Sequence, residues 1–315
     1  MRRRSLPSSG SDDVESHQKY LNPATLSQLT GLELKARLIV EGYVSGLHKS
    51  PYHGFSIEFA EHREYAPGDD LRYVDWKVFG KTDRYYLKQY EEETNFACYL
   101  LLDASESMRY RSEHASTTKL EYAQYIAAAL AYLILHQQDA AGLATFDRSI
   151  RRFLSASNRA SHLKQLCHAM DLEAAAGETA LGPILHDLAE RIRKRGLVVL
   201  LSDLFDDPAS VALGLKHMRH RRHEVIVLQV IDPAEQEFPF LDPTLFKGLE
   251  GLPELMTDPR ALRSAYRHEF EQFLVATRRT CRDLHMDYAL LRTDQPLDVA
   301  LRAFLVGRSR RLHST

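Results

Sequence analysis

A doubly wound α/β fold with a mostly parallel sheet is what the sequence predicts from Asn95 onward, on three observations. Continuous apolar runs, residues 96–102 and 197–201 above all, have the composition of strands buried on both faces. They alternate with stretches of ten or more residues at helical periodicity, the pattern of crossovers between parallel strands. A chain of 315 residues with 44% hydrophobic and 27% charged residues has material for one such domain and a smaller appendage.

Residues 1–22 mix Ser, Gly, Asp and Arg without periodicity and are expected to form a flexible N-terminus. Over 23–47, Leu26, Leu29, Leu32, Leu34, Leu38, Ile39 and Val44 recur at the spacing of one or two amphipathic helices, and Asn22-Pro23 marks the start. The segment 54–94 differs in character. Phe55, Ile57 and Phe59 alternate with Ser56 and Glu58, and Pro67-Gly68-Asp69-Asp70 has the chemistry of a turn. Tyr73, Val74, Trp76, Val78, Phe79, Tyr85 and Tyr86 add β-prone positions, so 23–94 is expected to be an N-terminal helix plus a small β-rich subdomain.

Within the α/β domain, 95–315, strands are predicted over 96–102, 140–146, 197–201, 225–231 and 287–291, with a short edge strand over 151–154. Helices are predicted over 119–137, 160–170, 181–194, 211–220 and 261–284, with a closing helix over 296–311. Residues 235–254, rich in Pro, Phe and Gly, form an insert before the last long helix, to be read as a lid or a loop.

Several function classes are excluded early. A net charge of −2 gives no general attraction to nucleic acid or an anionic membrane. The basic runs Arg191, Arg193, Lys194, Arg195 and 217–223 are solvated helix ends complementing the C-terminal dipole; a nucleic-acid role for Arg219, Arg221 and Arg222 would need interleaved aromatics. Cys98, Cys167 and Cys281 are scattered and make no CxxC pair, which points away from a disulfide framework or zinc and towards a reducing compartment. No apolar stretch follows the basic N-terminus, and the most apolar run, 123–138, is shorter than the roughly 20 residues a bilayer span needs. A cytoplasmic protein without a membrane span is expected. No GxxxxGK[ST] occurs and no GxGxxG follows a strand, which argues against nucleotide hydrolysis and dinucleotide binding.

In doubly wound sheets, ligands bind beyond the carboxyl ends of the strands. The first strand here runs into Asp103-Ala104-Ser105-Glu106-Ser107-Met108, and the strand over 197–201 runs into Ser202-Asp203. Between them, Gly177-Glu178-Thr179-Ala180-Leu181 opens a helix. Asp103, Ser105, Ser107, Thr179 and Asp203 supply two carboxylates and three hydroxyls, a hard oxygen set suited to Mg²⁺ or Mn²⁺. With only two negative charges on the ligands, the ion would stay electrophilic enough to take an external carboxylate. The plainer reading is that Asp and Ser end strands and cap helices, and that Thr179 is an ordinary cap.

This arrangement resembles the metal-ion-dependent adhesion site of von Willebrand factor A domains: DxSxS, then a Thr, then an Asp. The resemblance implies a von Willebrand factor A-like, Rossmann-type fold in which Ser105, Ser107 and Thr179 coordinate directly and Asp103 and Asp203 bind directly or through water. It also implies that an acidic side chain of a protein partner completes the coordination. A second resemblance covers residues 58–76. Glu58-Phe59, Arg63, Tyr65, Gly68-Asp69-Asp70, Arg72 and Val74-Asp75-Trp76 are similar to the signature E-F-x-x-x-R-x-Y-x-x-G-D-D-x-R-x-I-D-W of the bacterial domain of unknown function 58 family. Val74 replaces the usual Ile, and Val78-Phe79-Gly80-Lys81 stands where an Ala-Arg pair is frequent. The alternating Arg and Asp side chains can lock a hairpin by charge-assisted hydrogen bonds, with Trp76 as anchor; a partner-docking surface is the other reading.

Members of that family tend to occur beside MoxR-type AAA+ ATPases. The resemblance therefore implies a non-enzymatic adaptor or chaperone-like partner of such an ATPase, with interaction governed by the metal. The alternative is a metal-dependent phosphohydrolase with Asp103 as nucleophile. That chemistry wants a second acid two residues on, where this chain has Ser105.

Overall fold

Residues 22–23, 26, 31–47, 63–64, 86–87, 97–159, 161–173, 180–246, 255–298 and 301 are described by the computed structural model. The central sheet is built from β1 (Ala97–Asp103), β2 (Ala140–Phe146), β3 (Ile150–Ser157), β4 (Leu197–Ser202), β5 (Glu224–Ile231) and β6 (Asp287–Arg292). Its six strands lie in the order β3-β2-β1-β4-β5-β6, all parallel except β3, which runs antiparallel to β2 along one edge. This is a doubly wound sheet, and the order reverses between β1 and β4. Leu102 stands opposite Leu201 there, so the two strand ends meet at the switch point.

Side chains alternate between two cores. On β4, Leu197, Val199 and Leu201 pack under α1 (Leu32–Leu47), α2 (Lys119–His136) and α3 (His162–Asp171). Val198 and Leu200 of the same strand pack under α4 (Leu181–Arg191), α5 (Pro208–His220) and α6 (Pro259–Asp283). The apolar run 123–138 is a buried helix: α2 is covered by α1 and α3, and Lys35 of α1 donates to the Tyr125 hydroxyl at 2.9 Å. Among the described residues no helix is long and apolar enough to cross a membrane.

Helix α1 packs with the sheet unit, whereas residues 49–95 form a second compact unit. In that second unit the described residues are an antiparallel pairing of Arg63–Glu64 with Tyr86–Leu87. The residues of the Asp69 to Trp76 turn and anchor lie outside the described set.

Several elements differ in extent from expectation, α5 among them, which begins at Pro208 and not at 211. The edge strand is longer, Ile150–Ser157 in place of 151–154, because pairing with β2 across two register shifts sustains it beyond its few apolar residues. Helix α4 stops at Arg191 and not at 194. The insert holds a short helix, Pro233–Glu237, and an antiparallel pair, Thr244–Phe246 with Leu255–Thr257. Of the closing helix, only Asp298 and Leu301 are helical within the described residues.

Helices α4 and α5 approach closely through glycine. A Cβ on Gly182 would lie 2.6 Å from the Ser210 carbonyl oxygen, and one on Gly214 would lie 2.8 Å from the Gly182 carbonyl oxygen. Because backbone cannot swing aside, Gly182→Ala is expected to cost about 1–3 kcal/mol. An unfolding midpoint equal to wild type in urea would show that the helices separate freely.

His223, at the entry to β5, is buried, and burial holds its imidazole below the ordinary histidine value. The carbonyls of Ile192 and Ala189 pull the other way without meeting hydrogen-bond geometry. A depressed folded-state value means that the unfolded chain takes up the proton first on acidification. The contribution of His223 to stability is whole above about pH 6.5 and is lost as pH falls from there through the folded value. Wild type should therefore lose stability more steeply than His223→Gln between about pH 6.5 and 5. Parallel denaturation curves would remove this histidine as the cause.

Candidate functional site

Asp103 is the last residue of β1, and the chain keeps pairing for one more step, Ala104 donating to the Phe146 carbonyl at 2.7 Å. It then turns into a 3₁₀ segment, Glu106–Arg109. The turn is drawn tight by the Ser105 N–H, which donates to Asp103 Oδ1 at 2.9 Å. Ser105 and Ser107 are both buried, with their hydroxyl oxygens 3.1 Å apart. Across the switch point, the Ser202 hydroxyl at the end of β4 donates to Asp103 Oδ2 at 2.5 Å and accepts from the Leu204 N–H at 2.9 Å.

Asp203 follows and is fully buried. Its Oδ1 accepts from the Phe205 N–H at 3.1 Å, and its carbonyl accepts from Gln229 of β5 at 2.9 Å. Gln229 in turn accepts from the Tyr288 hydroxyl of β6 at 2.8 Å, so the two neighbouring strands fix the backbone at Asp203. Asp206, a turn further on, accepts from the Leu181 N–H at 2.7 Å at the start of α4, where the N-cap residue is Ala180. The loop after β4 is thereby tied to the residue two positions beyond Thr179. Thr179 itself lies outside the described residues.

Sequence reasoning missed two charged groups of this cluster. The Lys119 ammonium, fully buried at the first position of α2, donates to Asp203 Oδ2 at 2.7 Å and to Glu235 Oε1 at 2.5 Å. It also lies 4.7 Å from the centre of the Phe205 ring, a cation–π contact. Glu235, in the short helix after β5, uses its other oxygen to accept from the Asp232 N–H at 2.8 Å in a capping box. Both carried a signal. A lysine directly after the capping Thr118 sits where the helix dipole favours an acid, and Asp232-Pro-Ala-Glu235 has the spacing of a capping box.

Electrostatics follow from this dryness. Burial, and then the nearby Asp203 charge, push the Asp103 carboxyl up to about 7 against the hydrogen bonds from Ser202 and Ser105. Burial also raises Glu235 above its ordinary value, partly offset by Lys119. For Lys119 burial favours the neutral amine, but Asp203 and Glu235 together outweigh it and hold the ammonium charged.

Among the described residues no group of three or more His, Cys, Asp and Glu forms a metal cluster. The residues present fit a hydroxyl-rich cation site. Two adjacent ligands of an octahedral Mg²⁺ lie about 3.0 Å apart, given metal–oxygen distances of about 2.1 Å. The hydroxyls of Ser105 and Ser107 already have a separation of 3.1 Å, beside a buried carboxylate that a cation would discharge.

The family model described as "Protein of unknown function DUF58" matches residues 61–278, well over half of the chain. The chain belongs to the DUF58 family. The match takes in the Asp103 loop, Lys119, Asp203 and Glu235 of this DUF58 protein. Two uncharacterized mycobacterial proteins, Rv1480 of Mycobacterium tuberculosis and Mb1516 of Mycobacterium bovis, are each 27% identical to it over 298 residues, covering 92% of this chain and 91% of theirs. Among solved structures it is similar to an aerotolerance-related membrane protein from Bacteroides fragilis, with 15% identity and a TM-score of 0.46 over 68% of this chain and 99% of that one. It is also similar to the SpRpn10 VWA domain, with 17% identity and a TM-score of 0.31 over 43% of this chain and 75% of that one.

Proposed function

We propose that this DUF58 protein is a non-enzymatic, metal-dependent protein-interaction module of von Willebrand factor A-like design. Asp103, Ser105, Ser107, Thr179 and Asp203 would hold Mg²⁺ or Mn²⁺, and an acidic side chain of a protein partner would complete the site. The observation that carries the reading is the pair of adjacent buried hydroxyls beside Asp103, at the switch point of a doubly wound sheet. The tie from Asp206 to Leu181 supports it further, since it draws the start of α4, close in sequence to Thr179, towards the loop after β4.

When bound, the ion would supply Lewis acidity able to receive a carboxylate. The chain's own residues do the rest. Ser202 and the Ser105 N–H orient Asp103, and Phe205, Gln229 and Lys119 fix Asp203. Position 105, two residues after Asp103, carries a hydroxyl where hydrolysis of a phosphate ester by Asp103 would want an acid, which favours a docking role.

The partner we assign is an AAA+ ATPase of the MoxR type, in the cytoplasm, on the family resemblance of the 58–76 signature. Capture of such an ATPase by the full-length protein should fall to background on adding EDTA, and equally with Asp103→Ala in Mg²⁺. Undiminished capture under both conditions would take the metal out of the interaction.

A further inference from the structure

The position of Lys119 is costly on two counts. Its ammonium is fully buried, and it opens a helix whose N-terminal dipole repels a cation. The compensation comes from Asp203 at 2.7 Å and Glu235 at 2.5 Å, one from the end of β4 and one from the short helix after β5. Asp203 belongs to the candidate cation site, whereas Glu235 reaches that site only through Lys119. The cluster of Asp103, Asp203, Glu235 and Lys119 therefore carries a net charge of −2 when its three acids are ionised, one cation offsetting one of them. A divalent ion neutralises that charge. A trivalent ion would overshoot it, and without Lys119 the balance would move to −3 and suit the trivalent ion.

We infer that Lys119 is the charge-selectivity residue of the site: an internal counter-ion that weakens cation binding at the Asp103 loop and fits it to a divalent ion. The inference rests on the reading that the Asp103 loop holds a cation. It goes beyond that reading by giving a role to two residues outside the five-residue ligand set. It also accounts for a cation placed where the fold alone would favour an apolar or acidic residue. A metal site meant to be completed by a partner's carboxylate should retain its ion weakly enough for that carboxylate to matter, and a fixed ammonium on Asp203 has that effect.

The experiment is isothermal titration of the full-length metal-free protein with Mn²⁺ and, separately, Tb³⁺. The variants are Lys119→Met, Glu235→Gln and the double variant, which returns the cluster charge to that of wild type. Lys119→Met should tighten both ions, Tb³⁺ by at least about tenfold more than Mn²⁺, from Coulomb energies at the effective dielectric of a protein site. Glu235→Gln should weaken Mn²⁺ by about tenfold on the same ground. The double variant should recover the wild-type ratio of the two affinities. Should Lys119→Met fail to fold, the step from Glu235→Gln to the double variant reads the same dependence. An affinity ratio that stays constant across the variants overturns the inference while leaving the cation site standing. A wild-type protein that binds neither ion overturns both.

Discussion

Mg²⁺ or Mn²⁺ is expected to raise the melting temperature of the wild-type protein by roughly 5–10 °C, and Asp103→Asn is expected to abolish the rise. A ligand that binds only the folded state stabilises by about 2.7 kcal/mol at a hundredfold excess over Kd, and a domain of this size gains about 2–4 °C per kcal/mol. Asn is the informative replacement. It keeps the shape on which Ser202 and the Ser105 N–H converge, and it leaves Lys119 with both of its counter-charges.

A second arm of that experiment uses the metal-free protein. The Asp103 carboxyl is raised to about 7, so its contribution to stability is whole below the unfolded-state value of about 3.9 and is lost as pH rises through 7. In EDTA at pH 8, Asp103→Asn should therefore melt above wild type. The substitution would cost metal response and gain intrinsic stability together, as expected when a buried acid is kept for binding. Equal responses to metal in wild type and Asp103→Asn would end the site assignment.

Lys119→Ala should be the most damaging single substitution near the site, with a loss of about 3–5 kcal/mol in urea unfolding. The reason is asymmetric. The intact cluster gains little over an apolar one, because burying charges is expensive, but removing the cation leaves Asp203 and Glu235 buried without their shared donor. Adding Glu235→Gln to Lys119→Ala should recover part of the loss, since one of the two stranded charges goes with it. A loss below about 1 kcal/mol would mean that water reaches these carboxylates and replaces the ammonium.

Most strands and helices of the sheet domain were legible because each carries a local signature. β1 and β4 are uninterrupted apolar runs and α2 is a long stretch rich in Ala and Leu, whereas the Asp-Pro starts of α5 and α6 lie two or three residues ahead of the expected ones. The edge strand is longer than its apolar pattern suggests because Ser155-Ala156-Ser157 interrupt that pattern at its far end. The ladder with β2 and ion pairs to Asp147 and Glu173 hold it in place, and those partners are not visible in the strand itself.

The same division runs through the candidate site. Asp103, Ser105 and Ser107 were legible because they follow one strand within a few residues, and Asp203 because a second apolar strand runs into it. Local sequence determined the element types, the residues at each strand end and the hydroxyl-rich chemistry of the loop after β1. Only the tertiary structure decided that β1 and β4 are neighbours, that Ser202 bonds Asp103, and that Lys119 is shared between Asp203 and Glu235. Strand order and buried charge pairing are long-range facts: Lys119 meets partners 84 and 116 residues away, and no window of sequence holds both ends of such a contact.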